Sequence, residues 1–125
     1  MCKDDEWMLE LPWIPEDWNS YIRSERSSKY LAAKIKASDK NAIADLTRFK
    51  PPYTGGYPCE ILATVTFKNT RRDLDNLRLK GIIDGLVEAG KLENDNLNHI
   101  QKITIKGTPG HKDTLTITIK PLKTP

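Results

Sequence analysis

The sequence predicts a single α+β domain: a mixed sheet of about four strands with two helices packed on one face, in the order β-α-β-α-β-β. Three observations predict it. Cys59 to Lys68 alternates apolar and polar residues without a break, the period of a strand with one buried face. Ser28 to Phe49 and Arg78 to Gly90 instead repeat their apolar residues at helical spacing, as a helix with one buried stripe does. Shorter alternating stretches flank these segments, and turn-forming residues separate them. At 125 residues the chain can build one hydrophobic core but not two.

Each element follows in chain order. Glu6 to Leu11 is a short strand, with Trp7, Leu9 and Leu11 on one side and Met8 and Glu10 on the other. Pro12 and Pro15 end it. Trp13 to Ser27 reads as irregular, with Asn19, Tyr21, Arg23 and Arg26 as its polar features. Its aromatics suit packing under a loop, or contact with nucleic acid by stacking beside arginines. The first helix covers Ser28 to Phe49, capped by Ser27 or Ser28. Leu31, Ile35, Ala42, Leu46 and Phe49 form its apolar stripe, with Ala32 and Ile43 beside it. Ser38-Asp39 is a weak point where a kink is expected. Lys29, Lys34, Lys36 and Lys40 lie off the stripe on a solvated face. Lys50 to Pro58, with Pro-Pro and Gly-Gly, is a loop. In the strand that follows, Cys59, Ile61, Ala63, Val65 and Phe67 face inward. Asn98 to Lys106, with Ile103 and Ile105 inward, and Thr114 to Lys120, with Leu115, Ile117 and Ile119 inward, are the last strands. The turn Thr108-Pro109-Gly110-His111 between them predicts an antiparallel hairpin.

Charge is unevenly spread. Residues 1–17 hold one lysine against six acidic residues, whereas the remainder holds 19 Lys and Arg against 11 Asp and Glu. A basic body suits a polyanionic partner and equally a solubilising surface. Cys2 and Cys59 make no disulfide framework and no zinc-ligand spacing. Cys59 is expected to pack as a small apolar residue at a strand start. No signal peptide or membrane-spanning run is present, so a cytoplasmic location and no membrane partner are expected. His99 and His111 have no ligand partner nearby and receive no role.

The chemistry concentrates between Arg71 and Asp95. Arg71-Arg72-Asp73-Leu74-Asp75-Asn76-Leu77 sets two arginines against two aspartates, and a second acidic turn ends at Asp95. Carboxylate oxygens are the ligands hard cations prefer, and arginine forks suit phosphate. In a helix, side chains two apart diverge by roughly 200°; in extended chain they point the same way. The pair therefore belongs at a strand-to-helix junction, with Asp75 or Asp73 as the helix N-cap. Within that helix Asn76, Lys80, Asp84 and Glu88 form a polar stripe, and Leu79, Ile82, Ile83 and Leu86 a buried one. Gly90 stops it as a left-handed C-cap. Spacing alone leaves Asp73 and Asp75 open to two readings, as metal ligands or as capping residues, with Asp95 a ligand or a turn residue.

This stretch, continued by Lys80, Asp84-Gly85-Leu86, Ala89-Gly90 and Asn94-Asp95, closely resembles the RusA family of Holliday junction resolvases. Leu11-Pro12-Trp13 and Asn19 extend the resemblance toward the N-terminus. The resemblance implies a RusA-like fold and a homodimeric endodeoxyribonuclease that resolves four-way DNA junctions, using Mg²⁺ or Mn²⁺, with one strand nicked by each subunit. It places the metal-binding, catalytic aspartates at Asp73, Asp75 and Asp95 and the catalytic lysine at Lys80. DNA would be held by Arg71 and Arg72, with Lys68 and Asn76 beside them. The chain departs from the family pattern twice. It is one residue longer between Asp75 and Asp84, so that strict register puts the lysine at Leu79, and a helical bulge would absorb the difference. Asn94 also replaces the first of a pair of acids. Two other functions fit the same residues: a non-catalytic DNA-binding relative, and a metal nuclease for other branched DNA or RNA.

Overall fold

The fold is given by a computed structural model that describes residues 6–15 and 17–122. Cys2 and the charged residues Lys3, Asp4, Asp5 and Glu16 lie outside these. The elements are β1 (Trp7–Leu11), α1 (Trp18–Ser27), α2 (Lys29–Leu46), β2 (Cys59–Phe67), a single 3-10 turn (Leu74–Asn76), α3 (Lys80–Glu88), β3 (Ile100–Pro109) and β4 (Thr114–Pro121). The four strands form one mixed sheet in the order β1-β4-β2-β3. Among the described residues, no helix is long and apolar enough to cross a membrane.

β2 is central, and its composition explains why. Cys59, Ile61, Ala63 and Val65 are wholly buried, and Phe67 nearly so. A strand this apolar is stable only with neighbours on both edges. β4 pairs with it antiparallel and β3 parallel. The parallel step needs a crossover, which the 3-10 turn and α3 supply as a βαβ unit. β1 pairs antiparallel with β4, Leu9 opposite Ile117. Leu115, Ile117 and Ile119 of β4 close the apolar face. Onto it pack Ile43 of α2 and Ile82 and Leu86 of α3 in one core.

The expected hairpin does not form, because β3 and β4 lie on opposite sides of β2. Residues 110–113 pass over the end of β2, where the Gly110 N–H donates to the Phe67 carbonyl at 3.0 Å. The Lys68 N–H donates to Asp113 Oδ1 at 2.9 Å. Two strand spacings are about 10 Å, within the roughly 14 Å reach of four extended residues. β3 also runs longer than expected, taking in Thr108 and Pro109. It sits at the sheet edge, so Ile103 is half exposed rather than inward.

Among the described residues three α-helices, not two, accompany the sheet. The segment expected to be irregular contains α1, started by Asp17, whose Oδ1 accepts from the Ser20 N–H at 2.8 Å. Ser28, in extended backbone, breaks α1 from α2 and caps α2 by accepting from the Tyr30 and Leu31 N–H groups. α2 is continuous through Ser38-Asp39 and stops at Leu46, short of Phe49. Its buried stripe is Ala32, Asp39 and Ile43, one position round from the expected one. Leu31 and Leu46 are over two-fifths exposed, and Phe49 is almost fully so. The apolar stripe of α3 is as expected, with Leu79, Ile82, Ile83 and Leu86 all buried. Gly90 follows α3 at φ +76°, the left-handed geometry of a glycine C-cap.

Candidate functional site

Arg71 and Arg72 leave the end of β2 in different states. The Arg72 guanidinium lies over the Phe67 ring, 4.7 Å from its centroid, and pairs with Asp113 at 3.4 Å. Asp113 thus holds both Arg72 and the backbone of Lys68, a role no motif announced. The Arg71 N–H donates to Asn69 Oδ1 at 3.0 Å, while its exposed side chain has no ion-pair partner among the described residues. The side chain of Lys68 is likewise exposed and unpaired.

Asp73 and Asp75 do not cap α3. Asp73 stands in extended backbone before the 3-10 turn and makes no side-chain cap bond, and Asp75 lies inside that turn. Leu77, Arg78 and Leu79 then intervene before α3 begins at Lys80. Leu79 is buried, whereas the Lys80 side chain is 61% exposed. Lys80, not Leu79, presents its end group to solvent.

Two contacts seat the 3-10 turn. Leu74 packs against Gly107 of β3, where a Cβ would meet Leu74 Cδ2 at 2.5 Å. Asn76 Oδ1 accepts the Asn19 N–H from the first turn of α1. Just beyond the turn, the buried Arg78 pairs with the buried Asp39 of α2, and its guanidinium lies 5.0 Å from the Tyr21 ring centroid. One arginine thereby ties α1, α2 and the approach to α3 together. Sequence reading missed this pair, because a charge inside an apolar stripe reads as a helix defect.

Two hollows flank Leu77. One, about 150 Å³, is lined by Asp73, Arg71, Arg72 and Asn76 with Asp17 and Phe67. The other is a groove of about 590 Å³ between α3 and the edge strand β3. Lys80, Lys102, Asp84 and Asp95 bring charge to it, over an apolar lining that includes Ile83, Ile103 and Trp18. Lys80 Nζ lies 3.4 Å from Asp84 Oδ2. Asp84, on the polar stripe with Lys80, enters the candidate site through this contact. The structure thus groups Asp95 with Lys80 and Asp84, and Asp73 with the arginines and Asn76. Asp75 is exposed on the 3-10 turn.

Asp73, Asp75 and Asp95 are all exposed, and none of their carboxylates has a hydrogen-bond or ion-pair partner among the described residues. As hard oxygen donors they suit Mg²⁺, which takes one or two carboxylates and completes its shell with water and substrate phosphate. Among the described residues no three His, Cys, Asp or Glu side chains stand together at metal-ligand spacing. The aspartates are open donors, not a closed three-carboxylate cage.

Elsewhere, burial pushes the Cys59 thiol up to about 11 and raises Tyr57 above the ordinary tyrosine range. Both residues belong to the core or its margin. Comparison with protein-family models and with curated proteins finds no match to this chain.

Proposed function

We propose that the chain is a Mg²⁺- or Mn²⁺-dependent endonuclease for four-way DNA junctions, acting as a homodimer in which each subunit nicks one strand. The observation that carries this reading is the pair of hollows meeting at Leu77, one with Arg71 and Asp73, the other with Lys80, Asp84 and Asp95. A phosphodiester strand needs cations to hold it and open carboxylates beside it, and the two hollows supply both. The RusA resemblance of the same residues points to the same chemistry.

Each side chain then has a task. Arg71 and Lys68, free of ion pairs among the described residues, hold backbone phosphates without reading sequence. Arg72, fixed by Asp113 and Phe67, offers a preset donor. The carboxylates that would hold cations are those of Asp73 and Asp75 on the 3-10 turn side and of Asp95 in the groove. The three do not stand together, so water and substrate phosphate would complete each metal shell, and a bound cation would supply an activated water and polarise the scissile phosphate. Lys80 offsets negative charge gathering on that phosphate, after exchanging Asp84 for it. The exchange is inexpensive, because exposed i,i+4 pairs stabilise by only about 0.3–0.5 kcal/mol.

The test is incubation of the protein with a synthetic four-way junction, linear duplex and RNA, each with Mg²⁺ and with EDTA. Paired symmetric nicks in the junction, lost in EDTA, are expected. Junction binding without any nick makes the chain a non-catalytic binder. Equal cutting of duplex or RNA removes the junction specificity.

A further inference from the structure

Trp18 stands where two cavities meet. It lines the groove along β3 and also a smaller cavity of about 200 Å³ between α1, α2 and α3. Lys80 and Asp84 line both as well. The smaller cavity adds Lys36 and Lys40 of α2 and Glu25 of α1. At this size it is smaller than the roughly 300–1,000 Å³ pockets that take whole small molecules. It suits one fragment of a longer ligand whose remainder lies in the groove.

The chemistry of the lining narrows the fragment. Lys36, Lys40 and Lys80 outnumber Glu25 and Asp84, and Arg78 is already neutralised by Asp39. Two of the lysines are held by surface pairs: Lys40 pairs with Glu88 at 3.2 Å and Lys80 with Asp84 at 3.4 Å, Lys80 and Glu88 being exposed and Lys40 and Asp84 half-buried. Lys36 is exposed, and hydrogen bonding to Tyr21 holds its ammonium above the ordinary lysine range. Of the two aromatic rings, Tyr21 is buried and has Arg78 and Lys36 over it. Trp18 is half-buried, has no cation over its ring among the described residues, and is braced edge-on by Tyr21 at 6.0 Å and 84°. A braced, partly open indole among lysines is the pairing that binds unstacked bases: a π-face for the base and ammonium groups for its phosphate.

We propose that Trp18 is a stacking platform for an unpaired base of the bound DNA strand, with Lys36 and Lys40 taking the adjoining phosphate. This rests on the reading that the groove carries a nucleic-acid strand, and it supplies a means of telling a branched substrate from a plain duplex. Only a strand with an unstacked base can use the platform.

The experiment measures binding in EDTA to oligo(dT), to an abasic oligomer of equal length and to a duplex. Trp18→Ala should weaken oligo(dT) binding roughly five- to a hundredfold and leave duplex and abasic binding nearly unchanged. Trp18→Phe, which keeps a ring, should retain most of the affinity and shows that any loss is not unfolding. Lys36→Ala should flatten the log-log salt dependence for oligo(dT) by about 0.7. Equal loss on all three ligands, or no loss, overturns the platform. Junction nicking is assayed in parallel to separate the two ideas. Nicking with no Trp18 selectivity overturns the platform alone, and Trp18 selectivity without nicking supports it while removing the nuclease.

Discussion

The backbone N–H of Asn19 donates to Oδ1 of Asn76 at 3.1 Å, joining the start of α1 to the turn that carries Asp73 and Asp75. Asn76→Ala removes the acceptor and frees an N–H that no earlier residue of the helix can satisfy. Amide exchange at Asn19 should accelerate, with a stability loss of about 0.5–1.5 kcal/mol. Asn76→Asp keeps an acceptor and should keep the protection. Unchanged exchange in Asn76→Ala counts against the contact.

Asp75→Asn bears on the chemistry. The amide is isosteric but is a poorer ligand for a hard cation and carries no charge. Junction cleavage in Mg²⁺ should be abolished, while junction binding in EDTA is preserved or tightened, because one carboxylate no longer repels phosphate. A variant that still cuts at the normal rate removes Asp75 from the site.

The buried pair Asp39 and Arg78 sets the approach to Lys80, with side chains only 9% and 3% exposed. Asp39→Ala leaves a buried guanidinium without its carboxylate, and urea unfolding should report a loss of about 3–5 kcal/mol. Replacing both partners, Asp39→Leu with Arg78→Met, should recover much of that loss. If the single variant is as stable as the parent, the pair is not holding the helices.

Gly107→Ala tests how closely the 3-10 turn sits on β3. The added methyl meets Leu74, and overpacking of this kind costs about 1–3 kcal/mol. Leu74→Ala in the same chain vacates the space. A double-mutant cycle should therefore show the two changes together costing less than their sum; strict additivity would mean that the turn does not rest on Gly107.

Cys59 predicts a pH dependence. Its thiol keeps its proton up to about pH 11 in the fold, against 9.0 for a free thiol. Between these values the unfolded chain binds fewer protons than the native one, so the contribution is complete below pH 9 and is lost as pH rises toward 11. The urea midpoint should fall more steeply over this window in the parent than in Cys59→Ala. Identical slopes would place the thiol in contact with water.

What the sequence disclosed divides by physical cause. β2, β4 and α3 were legible because each buries one face against a single apolar layer, so its own period records its surroundings. Gly90 was legible because only a left-handed stop needs glycine there. α1 was not: Trp18 and Tyr21 are surrounded by serines, asparagine and charges, and the helix is fixed by Asp17 and by packing on α2. The face of α2 was misplaced because Asp39 is buried through a partner 39 positions away. Strand adjacency was not legible either, since alternation does not say which strand lies beside β3, and at the sheet edge it did not fix the inward face either, as the half-exposed Ile103 shows. In the candidate site, the polar stripe that Lys80 shares with Asp84 was legible from helical spacing, but the 3-10 turn that keeps Asp73 and Asp75 from capping α3 was not, and Asp113 and Trp18 acquire meaning only when distant elements meet.

The position of β3 at the end of the sheet has a consequence for the molecule in solution. One side of its backbone is left able to accept another strand, as every sheet edge is. Two of its residues discourage that: Lys106 brings repelling charge, and Pro109 withholds a donor. The same strand that floors a groove open to a ligand is thereby guarded against zippering onto a second copy of itself.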